Sequence, residues 1–172
     1  QPNKLGIAGH GMGAGCAVLA AEDNPQVKAV AAIYPADVAP SSIKAARGLF
    51  KPGMVIGPDD DSDGILGSGN PAKLAYNWSG PVVYRTVKNG NQQAFSEDSL
   101  AKLLLGTGRT KTSVQETVRA LITGYFLHQL GGEKVCSGYS EEDASGKGVE
   151  SVFGHDLAEQ AGLADGGAIS LF

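Results

Sequence analysis

The stretch from Lys4 to Pro35 constrains the fold more than any other part of the chain. A short apolar run, Lys4 to Ala8, meets the cluster Gly9-His10-Gly11-Met12-Gly13 at once. A small-residue helical stretch from Met12 to Ala21 follows and stops at Glu22-Asp23-Asn24-Pro25. Val27 to Tyr34 (VKAVAAIY) is then almost continuously apolar with β-branched residues, the pattern of a parallel strand buried on both faces, and Pro35 ends it. Strand, tight turn, helix and strand in this order form a βαβ unit, which commits the chain to a parallel sheet.

The alternation continues downstream. Lys51 to Gly57 (KPGMVIG) predicts a third strand and Pro81 to Val87 (PVVYRTV) a fourth. Between them, Asn70 with Pro71 behind it opens a helix that runs to about Trp78 and is closed by Gly80. Ser96 and Gly106 bracket a short helix, and Ser113 to Glu116 has the capping-box pattern of a longer one. The apolar face of that longer helix is Val114, Val118, Leu121, Ile122, Tyr125, Phe126 and Leu130, ended by Gly131. The expected fold class is α/β, a mostly parallel sheet of about four strands with flanking helices. A length of 172 residues suits one domain, placed at 1–136. Residues 137–172 carry seven acids against one base, Lys147, and read as an acidic, glycine-rich C-terminal tail. Part of it is helical near Asp156 to Ala161, and its apolar end (Ile169, Leu171, Phe172) is suited to docking on a surface.

Charge and composition exclude several function classes. The net charge of -4 comes without any Lys/Arg cluster beyond isolated pairs, so the electrostatic footprint of a nucleic-acid binder is missing. The longest run free of charge and strong polarity, Met12 to Ala21, is far short of the ~18 residues of a membrane span. Cys16 and Cys136 fit neither a metal spacing nor a small disulfide scaffold. The chain opens on Gln1 with no basic-then-apolar leader, which reads as a processed or partial chain and leaves localisation undefined.

The glycine turn supports two chemistries. Gly9-x-Gly11-x-x-Ala14 satisfies the dinucleotide fingerprint, in which bare backbone lets a pyrophosphate approach a helix N-terminus. That fingerprint also wants an acid at the end of the next strand, about 20 residues on, whereas here the strand ends in Tyr34-Pro35 and Asp37 lies beyond the proline. The other chemistry is a nucleophile elbow, G-x-S-x-G with its middle residue replaced.

On that second footing, Leu5 to Ala21 resembles the α/β-hydrolase family, particularly members related to dienelactone hydrolases and chlorophyllase-like esterases, whose elbow often reads G-H-S-M-G. The Asp-rich loop after the third strand resembles the family's acid loop. Gly80 to Tyr84 looks like its last core strand, and Asn91-Gln92-Gln93-Ala94-Phe95 resembles the N-H-x-x-F stretch that carries its histidine. Ser113 to Leu130 looks like the closing helix, so the resemblance spans roughly residues 4 to 132, the second half of the family fold. Several ordered features agree here, against a single motif for the nucleotide reading.

The resemblance implies a triad at Gly11, Gln92 and Asp63, with Asp60 as the rival register for the acid, and an oxyanion-hole donor at the Met12 N–H. Gly11 has no atom that can attack and Gln92 cannot accept a proton near neutral pH. No intact catalytic set remains, and losing triad members lowers rates by on the order of 10⁴ to 10⁶. The expected function is a catalytically inactive α/β-hydrolase-like protein, a pseudoenzyme kept as a binding or structural subunit. The alternatives are an esterase with relocated catalytic groups and a nucleotide-binding oxidoreductase fragment. His10 flanks the elbow as a candidate surrogate, but an elbow's flanking residue points away from the nucleophile's site. His128 reads as a surface or partly packed residue, and His155 has no evident partner.

Asp59-Asp60-Asp61-Ser62-Asp63-Gly64 follows the opening of a calcium loop, with ligands at Asp59, Asp61 and Asp63. Position 12 is Asn70 in place of the bidentate glutamate, so a solvated acidic loop is the plainer reading and any Ca²⁺ affinity is weak. No other cofactor is expected. Finally, the family's elbow strand is internal. If this one is not, Leu5 to Ala8 forms a bare apolar edge, to be covered by a protein partner, by preceding sequence or by the tail.

Overall fold

The computed structural model describes residues 4–59, 70–95 and 112–163, with Gln92 and Gln93 described through their backbone alone. Its centre is a five-stranded sheet in the order β1-β2-β3-β4-β5: β1 (Leu5–His10), β2 (Val27–Ile33), β3 (Gly53–Pro58), β4 (Val82–Val87) and β5 (Val149–Ser151). The first four strands are parallel, as their double-sided apolar runs predict. The β2 run divides between two layers: Val30 and Ala32 face one core, Ala29 and Ile33 the other.

The three crossovers cover one face. α1 (Met12–Asp23), α2 (Ser42–Ala45) and α3 (Asn70–Tyr76) supply Val18, Ala21, Ala45, Leu74 and Ala75 to a core that includes Val30, Val55 and Tyr84. α4 (Thr112–Gly131) covers the opposite face with Val114, Val118, Leu121 and Tyr125 against Met54, Ile56 and Val83. This is the face its helical spacing predicted. Phe126 and Leu130 lie so close to Gly6 that a Cβ there would press on the Phe126 ring and a Leu130 methyl, which explains a glycine inside β1. Trp78 is a packing residue: its ring fills the space above Gly53 and its Nε1–H donates to the Lys51 carbonyl at 2.8 Å. Tyr76 is about half exposed.

As far as Leu163 the acidic segment carries regular structure packed on the sheet and its helices, and it adds a fifth strand to the four expected. A 3-10 turn, Lys134–Ser140, packs on α4; β5 then pairs antiparallel with β4 (Arg85↔Ser151, Val87↔Val149), and α5 (Gly154–Gln160) buries Leu157 beside α3. A three-residue strand shows too little alternation to be read from sequence, and its partner Arg85 lies 66 residues upstream. The short helix expected between Ser96 and Gly106, and the apolar end at Ile169, Leu171 and Phe172, lie outside the described residues. Among the described residues no helix is long and apolar enough to cross a membrane.

Candidate functional site

The turn after β1 has the geometry of an elbow. Gly11 adopts φ 57°, ψ −124°, a region closed to side-chain-bearing residues without strain, and α1 starts at the next residue. Its peptide is fixed on both sides: the Gly11 N–H donates to the Ile33 carbonyl at 3.0 Å, and its own carbonyl accepts from Ala14 and Ala36 N–H, each at 3.1 Å. The turn therefore ties the ends of β1 and β2 together. Gly9 has a different reason to be glycine, because a Cβ there would overlap the Gly13 peptide. Gly13 faces open space. Met12 is 70% exposed at the first position of α1, where helical amides lack an intrahelical acceptor.

Three of the sequence-marked regions converge at this carboxyl end of the sheet, the edge at which open α/β sheets place their ligands. The 3-10 turn Gln92–Phe95 follows β4, and Phe95 brings it to the elbow: its ring centroid is 5.1 Å from that of His10 and 6.0 Å from that of Tyr34. The turn is held by Asn91 Oδ1, which accepts from the Ala94 N–H at 3.1 Å, and by Gln115 Nε2, which donates to the Ala94 carbonyl at 2.9 Å. The Gln92 side chain is outside the described set. Asp59 follows β3, and its Oδ2 accepts from the Asn89 N–H at 2.7 Å, linking the loops after β3 and β4. Asp60, Asp61 and Asp63, and with them the family acid and the rest of the calcium loop, lie outside the described residues.

Sequence reasoning missed Tyr34. Its φ is 44° although it is not glycine, it is 2% exposed, and its ring meets His10 edge-on at 6.2 Å. A residue before proline is biased towards extended backbone, so no local signal announces this conformation. His10, half buried between Tyr34 and Phe95, belongs to this aromatic wall. Asp37, the acid nearest the place a dinucleotide would want one, is committed elsewhere. It accepts from the Ser41 and Ser42 hydroxyls and from the Val38 and Ile43 amides. Desolvation alone would raise its pKa, but these hydrogen bonds outweigh that and hold the carboxyl below its ordinary value.

Residues 1–64 match the model of the dienelactone hydrolase family. The match takes in β1, the Gly11 turn, α1, β2 and β3, and includes the Asp59 to Gly64 stretch. Within dienelactone hydrolase-type folds, which are of the α/β-hydrolase kind, that is the part carrying the elbow. No curated protein matches the chain.

Two clusters lie away from the elbow. His128 Nδ1 is 2.7 Å from Ser140 Oγ, which also accepts from Gln129 Nε2 at 3.0 Å, so His128 joins α4 to the turn after it. His155, Asp156 and Glu159, all exposed on α5, hold their ligand atoms within 4.8 Å of one another, the one such group among the described residues. A His with two carboxylates is a donor set suited to a divalent transition ion. Cys16 is exposed and Cys136 half buried, and both are free thiols.

Proposed function

We propose that this chain is a hydrolase-type domain that has lost catalysis and serves as a binding or structural subunit. The observation that carries the reading is Gly11: the backbone keeps the conformation that would present a nucleophile, and the residue in it has no side chain. The resemblance adds Gln92 at the histidine position, an amide that takes up no proton near neutral pH. With both groups gone, what remains beside the exposed amino end of α1 is the aromatic cluster of His10, Tyr34 and Phe95.

The test is labelling by a fluorophosphonate probe together with turnover of p-nitrophenyl acetate. The expected result is labelling no stronger than that of heat-denatured protein, and hydrolysis at the buffer rate. Labelling that a substitution within residues 4–163 abolishes would overturn it. A second reading, an esterase with relocated groups, draws on the 2.7 Å contact of Ser140 with His128, a nucleophile-and-base distance. A probe adduct mapped to Ser140 by mass spectrometry, and lost in Ser140→Ala, would favour that reading over the first.

A further inference from the structure

The helix α1 is apolar on every side: from Met12 to Ala21 it carries no charged residue. A helix that is hydrophobic all round is one that is covered all round. Ala14, Val18 and Ala21 are covered by the sheet. Gly15 is covered by Ala36 and Val38, and Glu22 reaches Gly48 on the same flank. At about 100° per residue, Gly13, Cys16 and Ala20 fall on the other flank, and all three are exposed. The helix lies over β1 and β2, and α2 joins it to α3, which lies over β3 and β4. The bare flank of α1 therefore stands above the side of β1 that has no paired strand among the described residues.

We propose that this border binds a second copy of the chain, β1 against β1 in antiparallel register about a two-fold axis perpendicular to the sheet. Such an axis keeps both α1 helices on one face of the joined sheet. With strands about 4.8 Å apart and each α1 seated over the β1–β2 pair, the two helix axes come about 10 Å apart, the distance at which helices pack. Contact at that distance needs small side chains, and Gly13, Cys16 and Ala20 supply them. A lone strand from another protein would pair with β1 and leave this flank bare.

Charge selects the same occupant and its direction. The first turn of α1 has no acid and no side-chain cap, while its last residue is the exposed Asp23, at the negative end of its own helix. In the antiparallel pair each Asp23 comes beside the open amino end of the other copy's α1, where an acid is favourable. The six residues of β1 make a border about 20 Å long, a small interface, so the expected Kd is on the order of 10 µM. Because both copies use the same border, the assembly closes at two. The inference concerns this border alone and is independent of whether the elbow is catalytic.

The experiment is sedimentation velocity of the 172-residue chain from about 1 to about 200 µM, with cross-linking by a short bismaleimide. A monomer–dimer equilibrium without larger species is expected. Cys16 lies near the middle of α1, so the two-fold brings both copies of it within reach of the reagent: a linked dimer forms with the parent and with Cys136→Ala, and none with Cys16→Ala. Ala20→Arg puts bulk on the helix flank and a cation near the other copy's amino end, and raises Kd at least tenfold with unchanged far-ultraviolet circular dichroism. If that variant does not fold, the cross-link carries the test. A monomer at every concentration, open-ended association, a dimer that does not link through Cys16, or an unchanged Kd in folded Ala20→Arg would each overturn the proposal. None of these outcomes bears on probe labelling or ester turnover.

Discussion

Gly9 and Gly13 occupy symmetrical places in the elbow motif, yet their surroundings are opposite. A methyl group on Gly9 collides with the Gly13 peptide, which is backbone and cannot step aside, whereas one on Gly13 meets nothing. Gly9→Ala is therefore expected to destabilise the protein by about 3 kcal/mol, the upper range for overpacking. Gly13→Ala should stabilise α1 by about 0.5–1 kcal/mol through helix propensity. Urea denaturation of the two variants checks both signs, and equal effects would mean the turn is packed otherwise. The motif was readable in the sequence as a motif. Which of its glycines is obligatory was not, because that depends on how near another segment's backbone passes. Tyr34 was invisible for a related reason: its left-handed backbone is imposed by contacts of residues distant in sequence, including its 2.7 Å amide donation to the Ile56 carbonyl.

Among the elements, β1 to β4 and α4 were legible because each carries a periodicity its burial enforces: apolar on both sides for the inner strands, one stripe for the helix. The join between β4 and the acidic segment was not legible. Arg85 sits mid-strand, 2% exposed, and its guanidinium donates to the Glu141 and Glu142 carbonyls and to Ser151 Oγ, groups more than fifty residues away with no cue in the intervening sequence. Desolvation lowers the Arg85 pKa while Asp143 and Glu142 nearby push it back up. Arg85→Met removes the charge and leaves three acceptors unpaired in partly buried surroundings, an expected loss of about 3 kcal/mol. Limited proteolysis by a glutamate-specific enzyme reads it out: cleavage after Glu141 or Glu142 should appear in the variant at a dose the parent survives. Equal cleavage would show that Arg85 does not anchor this loop.

At the scale of the molecule, the consecutive strand order leaves β1 paired on one side only among the described residues, with Leu5, and Leu127 on α4, each nearly half exposed. Such an edge is a template for further pairing. Static light scattering should show association of the chain rising with concentration, and Ala8→Lys, which puts a charge on the edge, should reduce it while far-ultraviolet circular dichroism stays unchanged. Identical scattering would mean the edge is inert. The opposite margin ends in the short strand β5. The passage from Lys134 to Gln160 starts on the α4 side, contributes β5, and finishes beside α3, so it girdles the sheet like a hem. Among the described residues the two borders therefore offer an added strand very different lengths of ladder: six residues at Leu5–His10, and three at Val149–Ser151.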